Sequence, residues 1–328
     1  MKVLVTGSAG FIGSHVSQEL LGRGHTVVGI DNLNDYYSPE RKLANLEEVR
    51  SLDSGGLFQF QKLDIRDRDA LAELFEQHDF DAVVNLAAMA GVRISIEDPH
   101  LYCDVNLTGT LNLLLEVVKH NVGNFVLAST SSAYGNTTQI PFVETDPCDK
   151  PLAPYAASKR AAEMMAFTYH HLFGVNATVL RFFTVYGPRG RPDMMAYRVL
   201  DNIFFDKPCK LFNGGEMWRD WTYISDIACG VANAAERPLG YEIINLGRGE
   251  MVKLADFIAY IEDLTGKKTN LETAPKMAAD IDRSFADVSK ARELLGYDPQ
   301  VSAKEGVSRF YQWYREAVLT SHASAEGV

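Results

Sequence analysis

The sequence predicts an α/β protein: a Rossmann-type doubly wound parallel sheet with a smaller mixed α/β substrate domain. Short apolar segments alternate with longer helical patterns through the first half of the chain, as in consecutive βαβ units. The apolar segments are apolar at successive positions, which is typical of strands that are covered on both faces. We therefore expect parallel strands joined by right-handed crossover helices.

The predicted elements follow in chain order. Strands are expected at Val3–Thr6, Thr26–Ile30, Leu57–Lys62, Ala82–Asn85, Phe125–Ser129 and Ala177–Arg181. Helices are expected near Ile12–Arg23, Ala70–Gln77, Leu101–Lys119 and Tyr155–Phe173. A turn-rich segment at 187–192 ends this alternation of strands and helices. Beyond it the sequence predicts a strand at Glu242–Asn245 and helices near Leu254–Leu264 and Ser289–Leu295.

The loss of regular strand–helix alternation after this segment predicts two domains that are interleaved in sequence. Residues 1–181, with a returning segment near 221–245, would form the Rossmann-type domain that contains the parallel sheet. Residues 182–220 and 246–320 would form the smaller domain, and residues 321–328 a frayed tail. A chain of 328 residues with 46% hydrophobic residues is long enough for two such cores.

Charge and composition exclude several classes of function. The 32 Lys and Arg residues against 43 Asp and Glu residues give a net charge of −11, which disfavours a nucleic-acid partner. No apolar run is long enough to cross a membrane, and no secretory signal precedes the first strand. The four cysteines lie far apart without metal-ligand spacing, so we expect buried free thiols, no metal site and a cytoplasmic protein.

Three glycines follow the first predicted strand and open the first predicted helix. Gly7 permits a tight turn, Gly10 lets the backbone approach a pyrophosphate, and Gly13 allows close packing of helix on strand. The helix N-terminus, at Phe11 and Ile12, favours the negative charge of that pyrophosphate. The spacing is GxxGxxG rather than GxGxxG, and a structural glycine-rich turn is the alternative interpretation.

An acidic residue after the second strand supports a dinucleotide. Asp31 lies about 20 residues beyond the loop, where a carboxylate binds the ribose of adenosine, although a turn or helix cap is the alternative. Asn32 follows it instead of Arg or Lys, which favours NAD over NADP. Asp64 and Ile65 would flank adenine, and small residues within Leu86–Ala88 would let the cofactor pass.

Tyr155 and Lys159 are spaced to share one face of a predicted helix. An ammonium beside a phenol lowers the phenol pKa from about 10, so Tyr155 is a candidate acid and base. Four consecutive hydroxyl residues, 129–132, end the preceding strand, where open parallel sheets bind ligands. The alternatives are an amphipathic helix with a surface lysine and an ordinary Ser/Thr-rich turn.

At this point the sequence resembles the extended short-chain dehydrogenase/reductases that act on nucleotide sugars, the NAD-dependent epimerase/dehydratase family. The matching segments, in the order of that family, are Thr6–Gly13, Asp31, Asn85–Ala88, Ser129–Gly135, Tyr155–Lys159, Arg181–Pro188 and Arg219–Asp226. A narrower resemblance, to members that act on UDP-glucuronate, lies in Asp31–Tyr37, Ala90–Glu97 and Arg181–Met194.

The resemblance implies an NAD-dependent enzyme that inverts C4 of a UDP-hexuronic acid, UDP-glucuronate to UDP-galacturonate, through a 4-keto intermediate. It implies Tyr155 as the base, Lys159 as its partner at the nicotinamide ribose and Thr130 at the sugar 4-hydroxyl, with Asn106 beside the cofactor. The substrate residues that it implies are Ser131, Ser132 and Thr184 at the C6 substituent, Arg219 at the diphosphate, Asp280 near the uridine ribose, and Arg93 and Arg191 as candidates near the carboxylate.

Three residues depart from the pattern or have no counterpart in it, and their roles stay open. Arg189 replaces a common Trp, Met195 replaces a common Ala, and Arg283 has no clear counterpart. Family members often pair two helices into a homodimer, which we also expect here. The apolar positions that would serve it are Leu111, Leu114, Val118, Met164 and Phe167, unless they simply pack on the sheet.

Other functions remain as alternatives. Ser131 and Ser132 stand where 4,6-dehydratases have Asp and Glu, which argues against water elimination. A UDP-glucuronate decarboxylase usually has Glu after the Thr, so the two serines argue against it less strongly. A UDP-glucose/galactose 4-epimerase usually has Asn where Thr184 stands. A non-catalytic NAD-binding sensor is the non-enzyme alternative, but it would be expected to lack Tyr155 or Lys159.

Overall fold

The structure is a computed structural model that describes residues 1–320. The predicted tail at 321–328 lies outside the described residues. The strands are β1 (Lys2–Thr6), β2 (Thr26–Asp31), β3 (Phe58–Lys62), β4 (Ala82–Asn85), β5 (Asn124–Thr130), β6 (Ala177–Phe182), β7 (Thr184–Tyr186), β8 (Lys210–Phe212), β9 (Trp218–Arg219), β10 (Trp221–Tyr223), β11 (Tyr241–Leu246), β12 (Val252–Lys253), β13 (Glu272–Ala274) and β14 (Arg283–Ser284). The α-helices are α1 (Phe11–Gly22), α2 (Pro39–Leu52), α3 (Arg68–Gln77), α4 (Pro99–Cys103), α5 (Thr110–Lys119), α6 (Pro154–Phe173), α7 (Met195–Phe205), α8 (Ile224–Glu236), α9 (Leu254–Thr265), α10 (Ser289–Leu295) and α11 (Ala303–Tyr314).

Seven parallel strands form the central sheet, in the order β11-β6-β5-β4-β1-β2-β3. This topology confirms the predicted Rossmann-type sheet. The chain leaves β1 toward β2 and β3 and then returns to place β4 on the other side of β1. The strand order therefore reverses between β1 and β4, and a ligand crevice is expected at the carboxyl ends of these two strands.

Both faces of the sheet are buried because its strands are apolar at successive positions. Val3 and Val5 of β1 belong to one core cluster and Leu4 to the other, and all three are inaccessible to solvent. The first cluster includes residues of α1 and α8, and the second includes residues of α3, α5 and α6. This arrangement is the doubly wound one that the uninterrupted apolar strands predicted.

The chain after β6 is less regular. It contributes three small sheets, which pair β7 with β10, β8 with β13, and β9 with β12 and β14. It also returns to the central sheet, because β11 pairs in parallel with β6. The division of the chain into two functional domains stays a prediction.

Several helices differ from the sequence-based expectation. The sequence patterns did not identify α2, α7, α8 and α11. The predicted helix Leu101–Lys119 is wrong as a single α-helix, because a π-helical segment at Asp104–Gly109 separates α4 from α5. At this segment the Thr110 hydroxyl donates to the Asn106 carbonyl, and the Asn106 side chain is bonded to the backbone of Met89.

Two further expectations concern exposure. All four cysteines are free as expected, but Cys103 is exposed. The apolar positions expected to face a second subunit divide into three groups, and Leu111 and Val118 are partly buried. Leu114 is fully buried in the core of the subunit, whereas Met164 and Phe167 on α6 are 58% and 51% exposed.

No helix within residues 1–320 combines the length and apolarity needed to span a membrane.

Candidate active site

A cavity of about 410 Å³ lies at the crevice between the carboxyl ends of β1 and β4. It extends from the glycine-rich loop and Asp31 at one end to Tyr155, Thr184 and Arg191 at the other. Nearly all the residues predicted to bind cofactor or substrate line it. The exceptions are Asn106, Arg93, Arg219 and Asp280.

The glycine-rich loop has a shape that only glycine permits. Gly7 has φ +67°, and a Cβ there would lie 2.9 Å from the backbone nitrogen of Ala87. A Cβ on Gly13 would lie 2.0 Å from the Gly7 carbonyl oxygen, so α1 packs directly on the turn. The hydroxyl of Thr6 ties the two strand ends together, because it donates to Asn85 and accepts from the backbone N–H of Ala87.

The N-terminus of α1 opens into the cavity with its amide groups available. Its N-cap is Gly10, which offers no side-chain hydrogen bond, and the first turn contains no acidic residue. Phe11, Ile12 and Gly13 line the cavity. Uncapped amides and the positive end of the helix dipole bind a phosphate group well. The loop and the helix together therefore fit the pyrophosphate of NAD.

Asp31 ends β2 at the adenosine end of this cavity. Its carboxylate accepts hydrogen bonds from the backbone of Leu33 at 2.8 Å and of Ala9 at 3.3 Å. The Asn32 amide donates to Asp64 at 2.8 Å, and Asp64 forms an ion pair with Arg66. Burial raises the pKa of Asp64, but these bonds outweigh burial and hold the pKa down to about 2. The carboxylates of both Asp31 and Asp64 thus border the place predicted for adenosine.

Tyr155 and Lys159 lie on α6 and face the cavity with Thr130 at the end of β5. Burial raises the pKa of Tyr155 above 10, whereas hydrogen bonding with Thr130 and the charge of Arg191 lower it. Burial outweighs the charge of Arg191, which is the cation that lowers this pKa. A lowering of the phenol pKa by Lys159 stays a prediction. Burial also lowers the pKa of Lys159 from 10.5 to about 8, and Glu163 limits that fall.

Three hydroxyl side chains and one guanidinium surround the reactive end of the cavity. Ser131, Ser132 and Thr184 line it together with Arg191. Arg191 donates two hydrogen bonds to Asp193, from Nε at 2.9 Å and from Nη2 at 2.7 Å. Burial opposes ionisation of Asp193, but these bonds hold its pKa below the usual range. This end of the cavity can therefore bind an anionic group through directed donors.

Three of the four predicted residues that do not line the cavity, Arg93, Arg219 and Asp280, lie close to one another. Arg93 forms an ion pair with Asp280 at 3.3 Å and covers the ring of Phe212 at 3.7 Å. Arg219 donates to the carbonyl of Trp218, and the charge of Asp280 acts on its guanidinium. These three residues form a cluster contributed by distant parts of the chain.

Asn106 has a buried structural position. Its amide nitrogen donates to the Met89 carbonyl and to the Ser158 hydroxyl, both at 3.0 Å, and its oxygen accepts from the Met89 N–H. It thus fixes the segment after β4 against α6, beside the cavity rather than in its wall.

The structure shows where the three residues lie whose roles the sequence left open. Arg189 is buried, donates to Gln18 at 2.6 Å and pairs with Glu48 at 3.0 Å, so it joins the loop before α7 to α1 and α2. Met195 approaches the thiol of Cys209 at 3.9 Å. Arg283 lies over the ring of Trp218 at 5.0 Å.

Sequence reasoning missed four residues at or behind the site. Lys42 and Tyr36 line the cavity, and Asp193 binds Arg191. Glu163 is fully buried behind Lys159, where it accepts hydrogen bonds from Ser129 and Arg181. The spacing of Glu163 from Lys159, one turn along the same helix, was the available signal.

The sheet, the glycine-rich loop and the Tyr–Lys pair define a dinucleotide-binding enzyme of the short-chain dehydrogenase/reductase class. Residues 3–247 match the NAD dependent epimerase/dehydratase family. The chain therefore belongs to the NAD-dependent epimerase/dehydratase family, as the sequence resemblance implied.

Individual relatives are similar over nearly the full length. The chain is 46% identical over 316 residues to UDP-glucuronate 4-epimerase of Thermodesulfobacterium geofontis, covering 96% of each protein. The crystal structure of UDP-glucuronic acid 4-epimerase from Bacillus cereus in complex with UDP-glucuronic acid and NAD superimposes with a TM-score of 0.89 at 36% identity, covering 96% of this chain and 99% of that one. A Thermotoga maritima UDP-glucose 4-epimerase with UDP-glucose has a TM-score of 0.88 at 30% identity, covering 97% and 100%.

Proposed function

We propose that this enzyme catalyses NAD-dependent epimerisation at C4 of a UDP-hexuronic acid, interconverting UDP-glucuronate and UDP-galacturonate. One observation carries the proposal. A single cavity brings the Tyr155–Lys159 pair together with three hydroxyl side chains and the Arg191 guanidinium. The same cavity can thus support acid–base chemistry at a sugar hydroxyl and bind a carboxylate. The similarity to UDP-glucuronate 4-epimerases over 96% of the chain supports the same substrate.

The chain's own residues provide binding, orientation and proton transfer. Tyr155 acts as the phenolate and takes the proton of the 4-hydroxyl; the charge of Arg191 and the hydrogen bond with Thr130 favour this form against the effect of burial. Thr130 would hydrogen-bond both the phenolate and the 4-hydroxyl. Lys159 presents its ammonium to the nicotinamide ribose from the buried face of α6. NAD, when bound, supplies reversible acceptance of the C4 hydride. After the planar 4-keto sugar has turned to present its other face, the same hydride would return to C4 on that face while Tyr155 gives the proton back to the C4 oxygen, which inverts C4.

A uronic acid substrate adds a chemical hazard. A ketone at C4 with a carboxylate at C6 makes the intermediate a β-keto acid, which loses CO₂ when the C5–C6 bond aligns with the carbonyl π system. The enzyme must therefore hold the carboxylate out of that alignment. Ser131, Ser132 and Thr184, with Arg191, are placed to do so through hydrogen bonds worth about 1.5–3 kcal/mol each to a charged group.

The Thr184→Val variant tests this grip on the carboxylate. Valine keeps the shape of the side chain and removes the hydroxyl. We expect the variant to release CO₂ and form a UDP-pentose product at a share of turnovers at least about tenfold above wild type, since one hydrogen bond to a charged group is lost. Slower epimerisation without any CO₂ would contradict the proposed grip.

The overall reaction is tested by incubating the protein with UDP-glucuronate and following the sugar by ¹H NMR. Epimerisation predicts UDP-galacturonate, without loss of the nucleotide sugar and without net reduction of NAD. A UDP-pentose product would indicate the decarboxylase, and turnover of UDP-glucose alone would indicate the hexose epimerase. No turnover with NAD tightly bound would favour the sensor.

We propose that the cluster of Arg93, Arg219 and Asp280 holds the nucleotide. In this proposal Arg219 binds the diphosphate and Asp280 lies near the uridine ribose, held by Arg93. The segments 182–220 and 246–320 then form the part of the molecule that holds the nucleotide sugar over the cofactor. Replacement of Arg219 by Met should raise the KM for the nucleotide sugar more than it lowers kcat.

The exposed apolar residues of α6 support a homodimer. Met164 and Phe167 are more than half exposed, and so are Leu172 and Phe173 at the end of the same helix. Burying such a surface against a second copy removes apolar area from water. Phe167→Glu should yield monomers in light scattering after size exclusion, whereas Leu52→Glu on α2 should leave the dimer intact. A wild-type monomer would disprove the homodimer.

We expect the enzyme to act in the cytoplasm. All four cysteines are free, and free thiols persist in a reducing compartment. Labelling of the thiols in intact cells and in lysates, followed by mass spectrometry, would detect disulfides that contradict this expectation.

A further inference from the structure

The loop between β7 and α7, residues 187–194, carries Arg191 to the reactive end of the cavity. Its backbone adopts conformations that side chains disfavour. Gly187 has φ +142°, and a Cβ there would lie 2.5 Å from Cγ2 of Ile224. Arg189 has φ +61°, although it is not a glycine. An L-amino acid adopts the left-handed region at a cost in free energy, so other contacts must keep Arg189 there.

The side chain of Arg189 does not line the cavity but contacts two helices, α1 and α2. Its Nη2 donates to Oε1 of Gln18 on α1 at 2.6 Å, and its Nη1 pairs with Oε2 of Glu48 on α2 at 3.0 Å. Arg189 is only 6% exposed, and its Nε has no hydrogen-bond partner within residues 1–320. A buried and incompletely bonded cation thus connects the loop to both helices.

Burial of this cation is unfavourable for folding. It lowers the pKa of Arg189 to about 10, so the guanidinium remains charged at pH 7, and its partner Glu48 is half exposed. Such an ion pair adds little net stability, because the cost of desolvation offsets the attraction between the charges. A residue that combines a disfavoured backbone, a buried charge and an unbonded N–H is typical of a functional site. These features give Arg189 a role in geometry rather than in stability.

Arg191 needs such a connection because its own partner belongs to the same loop. Asp193 accepts two hydrogen bonds from Arg191 but lies only two residues further along the chain, so this pair moves with the loop. Two other side chains reach the loop from outside over longer distances. Arg41 donates to a loop carbonyl at 3.4 Å, and Tyr36 donates to Asp193 at 3.5 Å. Among these contacts, those that Arg189 makes to α1 and α2 are the shortest.

We infer that Arg189 is a positioning residue: it fixes the Arg191 guanidinium where that group can bind the sugar carboxylate. The inference rests on the proposed role of Arg191 in binding this carboxylate. Arg189 does not touch the substrate and acts only through the loop. Because α1 also presents its N-terminus to the cavity, the same connection relates the substrate loop to the helix that fits the pyrophosphate of the cofactor.

The affinities of the NAD-loaded protein for UDP-glucuronate and UDP-glucose, measured by calorimetric titration, test this inference. All proteins carry Tyr155→Phe, which prevents turnover during the titration. Arg189→Met keeps most of the side-chain volume and removes its polar contacts. We expect it to bind UDP-glucuronate about tenfold more weakly than the parent protein, because a hydrogen bond to a charged group is misplaced. Binding of UDP-glucose, which has no carboxylate, should be unchanged. Equal weakening of both ligands would overturn the inference.

Two further variants assign the effect to the contacts of Arg189. Gln18→Leu removes the acceptor on α1 and should weaken binding of UDP-glucuronate alone. The matched control is Arg23→Met, because Arg23 also joins α1 to another helix, through Glu236 of α8, but does not line the cavity. This control should leave both affinities within about twofold of the parent protein. A loss of UDP-glucuronate affinity in the control, or no loss in Gln18→Leu, would overturn the inference.

A double substitution shows whether Arg189 acts through Arg191. If it does, adding Arg189→Met to Arg191→Met should cause no further loss of UDP-glucuronate affinity, whereas independent roles would give losses that multiply. An Arg191→Met variant with the affinity of the parent protein would disprove the carboxylate role on which the inference rests. None of these measurements requires turnover, so a failure of the epimerase reaction itself would be seen in the NMR experiment and not in the titrations.

Discussion

Replacement of Lys159 by methionine should abolish catalysis and yet stabilise the folded protein. The Lys159 side chain is 2% exposed, and no salt bridge to it is found within the described chain. Burial lowers its pKa from 10.5 to about 8, with Glu163 limiting the fall. Folding therefore carries a cost for burying this charge, and methionine fills similar space without one.

The size of the effect follows from the two pKa values. Each unit of pKa difference is worth about 1.4 kcal/mol, so the change from 10.5 to about 8 costs about 3 kcal/mol at pH 7. Between about pH 8 and 10.5 the unfolded chain binds a proton at Lys159 that the native protein has lost. Stability of the wild type therefore rises with pH through this window, and the cost falls to about 1.5 kcal/mol at pH 9.5.

Urea unfolding of nucleotide-free protein at pH 7 and pH 9.5 measures both effects. Lys159→Met should exceed wild type by about 3 kcal/mol at pH 7 and by about half as much at pH 9.5. Lys304→Met, which removes an exposed lysine from α11, is the matched control and should show no such pH-dependent difference. A variant that is no more stable than wild type at pH 7, or whose advantage does not shrink at pH 9.5, would refute the reasoning.

Three further substitutions test other parts of the structure. Gly13→Ala places a Cβ 2.0 Å from the Gly7 carbonyl and should reduce NAD affinity at least about 100-fold in calorimetric titration; unchanged affinity would contradict the loop geometry. Arg181→Met deprives the buried Glu163 carboxylate of its bidentate partner and should cost about 3–5 kcal/mol in urea unfolding, much of it recovered by adding Glu163→Gln. Arg189→Met removes a buried cation whose partner carboxylate is half exposed, so the unfolding midpoint should stay or rise; a large fall would show that the ion pair is needed.

The sequence predicted best those features that are encoded by neighbouring residues. The glycine-rich loop, the hydroxyl cluster and the Tyr155–Lys159 spacing each lie within one short segment. The residue types and their spacing can therefore be recognised together without knowledge of the fold. The strand ends that carry them meet because parallel strands place their carboxyl ends at one edge of the sheet. This is why the cavity contains most of the residues that were predicted for it.

Features that depend on distant contacts were not predictable in the same way. Helix α2 has only four buried residues, so its pattern is too polar to identify a packed helix, and Lys42 was missed with it. Arg93 and Asp280 are 187 positions apart, and no local signal pairs them. The pKa of Tyr155 depends on burial, which spacing along a helix does not reveal.

The arrangement of charge at the reactive end explains how an acidic protein can handle an acidic sugar. With a net charge of −11, the protein as a whole does not attract its anionic ligands. Arg191 is already shared with Asp193 through Nε and Nη2, which leaves the Nη1 edge for a sugar carboxylate. One shared arginine with the hydroxyls of Ser132 and Thr184 provides several directed bonds, each weak enough to exchange during the rotation that inversion at C4 requires.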